Sequence, residues 1–158
     1  SSDIPLMPKF GMRMRIPADF KQIKWYGRGP WENYPDRKLS AKVGWYELPI
    51  EEFQTDYARP QDNGNRCDVR WLTLSSGRHA LKVEGSQPLC VRAWDYGEED
   101  LEQVKHHYEL PHGQFVNLNL DLNIHGVGGI DTWGARTMDK YTLDGNRPYS
   151  YSFVLTYE

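Results

Sequence analysis

Phe115-Val116-Asn117-Leu118-Asn119-Leu120-Asp121-Leu122-Asn123-Ile124 alternates apolar and polar residues without a break. A period of two is the pattern of a β-strand, because successive side chains leave a pleated backbone on opposite faces. Val116, Leu118, Leu120, Leu122 and Ile124 point one way, and Asn117, Asn119, Asp121 and Asn123 the other. Gly126-Val127-Gly128-Gly129 then breaks the pattern. The same alternation recurs in Gly11 to Ile16, which sets Arg13 and Arg15 on a wet face, in Val69 to Leu74, and in Tyr149 to Tyr157. Ile23 to Tyr26, Val43 to Leu48, Ala80 to Val83 and Leu89 to Trp94 read as further strands, separated by Gly, Pro and Asn-Gly turn signals. Glu51-Glu52-Phe53 suits a single helical turn.

One helix is expected, after Gly97. Glu98, Glu99 and Asp100 suit the positive end of its dipole, Leu101, Val104 and Tyr108 share a face, and Pro111 forbids continuation. The pattern predicts an all-β fold, an antiparallel sandwich with one short helix, in one domain over residues 1–158.

Composition narrows the function classes. The net charge of −3 gives no overall drive toward nucleic acid or anionic lipid, and no apolar run approaches the roughly 18 residues of a membrane helix. Aromatic residues reach 13%, with 6 Trp and 10 Tyr, which suits both strands and a surface that stacks on sugars. Cys67 and Cys90 read as two buried thiols or one disulfide; the thiol reading is preferred, and it suits cytoplasm better than an oxidising space, with the periplasm left open. No Cys-x-x-Cys is present, and the adjacent His106 and His107 point about 100° apart on a helix, so neither pair suggests a metal site.

Three segments could carry chemistry. In Gly27-Arg28-Gly29-Pro30-Trp31-Glu32-Asn33-Tyr34-Pro35-Asp36-Arg37, the carboxylates Glu32 and Asp36 could form a hydrolytic pair, but the preferred reading pairs them with Arg28 and Arg37 to lock a long loop. Gln61-Asp62-Asn63-Gly64-Asn65-Arg66 reads as turn chemistry or a polar sugar contact. His125-Gly126-Val127-Gly128-Gly129-Ile130-Asp131-Thr132-Trp133-Gly134 presents a His, an Asp and a Trp on a glycine-rich loop, suited to the C–H face of a pyranose.

In this order, Gly27-Arg28-Gly29-Pro30-x-Glu32-Asn33-Tyr34-Pro35-Asp36-Arg37, Pro60-Gln61-x-Asn63-Gly64-Asn65-Arg66 and Gly126-Val127-Gly128-Gly129-x-Asp131-x-Trp133 resemble the C-terminal, small-chain domain of glycoside hydrolase family 2 β-galactosidases. The resemblance covers nearly the whole chain. It implies a galactose-mutarotase-like supersandwich, and a catalytic (β/α)8 barrel elsewhere that holds the two catalytic glutamates and the magnesium ligands. No catalytic residue and no cofactor is then expected in this chain, which is expected to be an excised fragment or a separately encoded piece. Trp133 alone carries over, matching the family's tryptophan on the departing-group side of the sugar site; Asp131 and His125 are expected beside it as substrate contacts from the reading of the loop itself. Where the family commonly has Gly-Gly-Asp-Asp-Ser-Trp, this chain has Ile130 and Thr132. The expected partners are a galactoside and the rest of a β-galactosidase polypeptide, with self-association through uncovered sheet edges. A stand-alone carbohydrate-binding module using the same loop is the alternative. A mutarotase built on His125 or His112 with a Glu is the third reading.

Overall fold

The computed structural model describes residues 5–129, 131 and 133–158; Ile130 and Thr132 lie outside them. The strands in chain order are β1 (Leu6–Met7), β2 (Lys9–Pro17), β3 (Gln22–Gly29), β4 (Lys42–Pro49), β5 (Arg66–Ser75), β6 (Ala80–Trp94), β7 (Phe115–Ile124), β8 (Leu143–Asp144) and β9 (Phe153–Tyr157). Every pairing is antiparallel, as an all-β chain of alternating segments predicts. Seven strands form one sheet in the order β2-β7-β6-β5-β3-β4, with β9 paired to β6, while β1 and β8 form a small separate ladder.

β7 sits between β2 and β6, with Leu120 opposite both Met12 and Val91, and Leu118 opposite Met14 and Ala93. Its apolar face joins the main core, where Ile23, Trp25, Phe53, Leu72, Leu74, Val91, Leu118 and Leu120 are all buried. Fully burying one such aliphatic side chain is worth about 1.5–3 kcal/mol. The opposite face of β7 is wet only at Asn123. Asn117, Asn119 and Asp121 are buried as well, because the segments around Asp62 and Glu98 fold over them.

Three segments depart from the sequence reading, the first being the final strand expected over Tyr149 to Tyr157, which is strand only over Phe153–Tyr157. Ala80 to Val83 and Leu89 to Trp94 belong to one long strand, β6. The Gly85–Pro88 stretch between them reads as a turn but is held in the sheet by Gln87 and Ser86, both bonded to Ser152. A side chain at Gly85 would come within 2.3 Å of the Gln87 carbonyl, so the irregularity requires glycine.

The helix expected after Gly97 shrinks to α2 (Asp100–Gln103), and Tyr108 lies in a separate 3-10 turn, His107–Glu109. The acidic residues that suggested a helix start are engaged elsewhere. Glu98 bonds to Lys9, Glu99 to Arg13 and Arg15, and Asp100 closes a turn by accepting from the Gly97 amide at 2.8 Å. With no buried residue, α2 has no face to extend, and Val104 is already extended backbone. α1 (Ile50–Phe53) is the short turn the sequence suggested, and it buries Ile50 and Phe53 against the sheet.

Candidate functional site

The first two polar segments interlock. Glu32 is only 8% exposed and accepts from Arg37 at 2.6 Å, from the Gly64 amide at 2.7 Å, and from the Tyr57 hydroxyl. Asn33 exchanges bonds with Asn65 and accepts from the Cys67 amide, while Tyr34 donates to Asp62 at 2.7 Å. Arg66 is buried over the Phe53 ring and donates to the Pro30 and Gly64 carbonyls. Burial pushes its pKa down to about 10, so it remains a cation at neutral pH. Cys67 and Cys90 are free thiols, 3.8 Å apart and buried.

Arg28 pairs with Asp68 at 2.5 Å, and its guanidinium also ties down the Lys38 and Ala41 carbonyls. Asp36 departs from the expected pairing: it bonds to neither Arg28 nor Arg37. Its Oδ2 accepts from the Gly128 amide at 2.8 Å and from the Thr137 hydroxyl at 2.9 Å, across to the glycine-rich loop.

Burial alone would raise the pKa values of Glu32, Asp36 and Asp68. Arg37, Tyr57 and the Gly64 amide reverse this for Glu32, the Gly128 amide and Thr137 for Asp36, and Arg28 and Lys38 for Asp68, so all three sit below the ordinary carboxylate range. A carboxylate with a depressed native pKa adds stability that is complete above its unfolded value, near 4, and is lost as pH falls through the native value. The urea midpoint is therefore expected to be level from neutral pH down to about 5 and to fall below about 4. Neutralising Glu32 and Asp36 together by Glu32→Gln and Asp36→Asn should flatten that acid limb.

Glu32→Ala removes three bonds at once and leaves the buried Gly64 amide without a partner. Because Arg37 is 41% exposed and can rehydrate, the expected loss is about 2–3 kcal/mol, short of a fully buried pair. Thermal unfolding checks it; an unchanged midpoint contradicts this role for Glu32.

The third segment runs over one end of β7. His125 donates its backbone amide to Pro8 (2.9 Å), Gly126 donates to Tyr141 (2.8 Å), and the His125 ring contacts the Gly126 carbonyl. Gly128, Gly129 and Gly134 all have φ near +80°, which their missing Cβ permits. Asp131 Oδ1 accepts from the Trp133 and Ala135 amides at 2.8 and 3.1 Å, so that oxygen shapes the turn. The Trp133 indole is 92% exposed. A cavity of about 350 Å³ lies beside the loop, lined by His125, Val127, Arg136 and Thr137 with Met7 and Pro8.

Sequence reasoning missed the buried cation Arg92, which lies between Asp62 and Asp121 and bonds to both, at 2.7 Å to Asp121. With its amide oxygen turned toward the cations, Asn119 accepts from Arg92 and Lys9. The period-two pattern of Leu89 to Trp94 placed Arg92 on the polar face but carried no signal that the face is covered. Also missed was a surface row of half-buried Tyr26, exposed Trp45 and half-buried Trp71, with ring centroids 5.5 and 5.0 Å apart, on β3, β4 and β5. Among the described residues no three His, Cys, Asp or Glu converge as metal ligands.

Fold and site together define an all-β antiparallel domain in which two locked polar loops support a third that displays an indole. A family model described as the β-galactosidase small chain matches residues 1–155, and the chain belongs to that family. It is 40% identical over 157 residues to a β-galactosidase of Priestia megaterium, covering 98% of this chain and 15% of that protein. It is 39% identical over 155 residues to one of Vibrio cholerae, covering 98% and 14%, and 33% identical over 152 residues to one of Halalkalibacterium halodurans, covering 95% and 15%. The chain thus spans about 15% of the length of these relatives and corresponds to a small part of each polypeptide.

Proposed function

We infer that the chain is the C-terminal, non-catalytic part of a β-galactosidase and completes the departing-group side of the sugar site with Trp133. The observation that carries this reading is the exposed indole on a loop whose neighbouring polar groups are occupied in holding its shape. A bare, exposed indole face suits the C–H face of a pyranose, and this contact holds the aglycone while the galactosyl bond breaks. The reaction is retaining hydrolysis of a terminal β-galactoside, with the covalent intermediate on a carboxylate of the catalytic barrel. The magnesium implied by the family resemblance belongs to that barrel, and no step here depends on it.

The carboxylates of this chain support the division of labour. Glu32 spends both oxygens on Arg37, Tyr57 and the Gly64 amide, and Asp36 spends its Oδ2 on the Gly128 amide and Thr137 while its Oδ1 is buried. The purified chain is expected to show no turnover of an aryl β-galactoside. Turnover that survives repurification and is abolished by Glu32→Gln or Asp36→Asn overturns the non-catalytic reading.

The mutarotase reading lacks its carboxylate partner in the form expected. The His125 ring contacts a backbone carbonyl, and His112 pairs with Asp95 at 2.8 Å instead of a Glu. The exposed Trp133 also suits a stand-alone carbohydrate-binding module, but one stacking face gives weak binding against the entropy of association. Relatives that carry this segment within a much longer polypeptide favour the first reading.

A further inference from the structure

We propose that Asp36 is a positioning residue for Trp133, a proposal that rests on the sugar-contact reading of that indole. The loop bearing Trp133 is entered at Gly128 and left at Thr137, and both ends bond to the same Asp36 oxygen, at 2.8 and 2.9 Å. One carboxylate therefore closes a ten-residue loop from outside it, with Trp133 between the two tied ends. The tie is long in sequence, spanning 92 and 101 residues, so it welds the first polar segment to the third.

The packing at the tie is tight. A Cβ on Gly126 would stand 2.5 Å from the Asp36 carboxylate and 2.5 Å from the Thr137 hydroxyl, so the carboxylate reaches the loop only because residue 126 is glycine. Gly128 presents its amide to Asp36 from a backbone with φ of +77°. The anchor is itself held. Arg37, the next residue, is paired to Glu32, which bonds the Gly64 amide, and the Arg37 amide donates to Tyr34. The Glu32 network thus sets where Asp36 stands, and Asp36 sets where the loop stands. Asp131 shapes only the turn within the loop, through the Trp133 and Ala135 amides, and does not fix the loop to the sheet. A platform that must meet one face of a bound sugar loses affinity when its loop samples other positions, because the ordering entropy is then lost at binding.

The test uses a full-length β-galactosidase polypeptide carrying this domain, with Asp36→Ala, Thr137→Val, Trp133→Ala and the double variant Asp36→Ala/Trp133→Ala. The binding readout is the constant for free glucose as acceptor of the galactosyl group. The structural readout is amide hydrogen exchange across residues 126–137, compared with β5 to β7. Asp36→Ala is expected to weaken glucose about fivefold to tenfold and Thr137→Val about twofold to threefold, both in the direction of Trp133→Ala. The double variant should be no weaker than Trp133→Ala within about twofold, because both changes act through one contact. Exchange in the loop should quicken by about tenfold in Asp36→Ala while the strands keep their protection. Multiplying penalties in the double variant, or unchanged loop exchange, overturns the proposal. If Trp133→Ala leaves glucose binding unchanged, the sugar-contact reading fails, and loop exchange alone then decides whether Asp36 is the clamp. Should Asp36→Ala lose strand protection, Thr137→Val carries the test, since it removes one bond at nearly constant volume.

Discussion

Arg92→Met is expected to lower stability by about 3–5 kcal/mol, the largest loss of any single substitution considered, because it leaves buried carboxylate charge without its cation. Arg92 is fully buried and bonds to both Asp62 and Asp121. Asp62 reaches solvent and can hydrate, whereas Asp121 cannot. Burial already pushes the Asp121 pKa up, against the pull of Arg92 and Lys9. Without Arg92 that rise should grow, and Asp121 should take up a proton on folding. The folded state then binds more protons than the unfolded one, so the deficit grows as pH rises through the elevated pKa and shrinks in acid. For a chain of this size the loss corresponds to roughly 2–4 °C of melting temperature per kcal/mol. Removing the partner as well, in Arg92→Met/Asp121→Leu, should recover part of it, since an apolar pair has no stranded charge. A melting temperature unchanged by Arg92→Met, or a deficit independent of pH, contradicts this account of the buried layer.

The strands were legible because alternation reports a local property, the pleat. β2, β3, β4, β5 and β7 fall where the apolar periodicity places them. What alternation does not report is whether the polar face meets water. Asn117, Asn119 and Asp121 are buried because loops distant in sequence close over them, and Arg92 belongs to the same layer. The helix after Gly97 was misjudged for a related reason. An acidic run suits a helix start when it has no other partner, but here Lys9, Arg13 and Arg15 of β2 draw Glu98 and Glu99 away. Gly85 to Pro88 reads as a turn, yet its bonds to Ser152 keep it in the sheet.

The locked loop was legible as a cluster of charges but not in its pairings. The Glu32–Arg37 pair is five residues apart and could be inferred, whereas Arg28 finds Asp68 and Asp36 finds Gly128 and Thr137. Those partners depend on the crossing of β3, β5 and the segment after β7, which no local pattern encodes. The exposed Trp133 was suggested by the flanking glycines, which leave the indole without a neighbouring bulky side chain.

Trp133→Ala in the full-length enzyme is expected to have the largest effect on sugar binding of any substitution in this chain. The indole is the one large aromatic face among Gly128, Gly129, Asp131 and Gly134, and stacking plus burial of a ring face is worth roughly 1.5–3 kcal/mol. That corresponds to a weakening of about tenfold to a hundredfold for the sugar on the departing side. Trp133→Phe should retain most of the contact, because it keeps a flat apolar face of smaller area. Galactose is bound by the barrel in this account and should be nearly indifferent to both changes. The deciding measurement is therefore the pair of binding constants, for glucose as acceptor and for galactose as product inhibitor, in the wild-type enzyme and in Trp133→Ala. The account predicts glucose weakened at least about tenfold and galactose changed by less than about twofold; equal losses for the two sugars, or no loss for either, would contradict it.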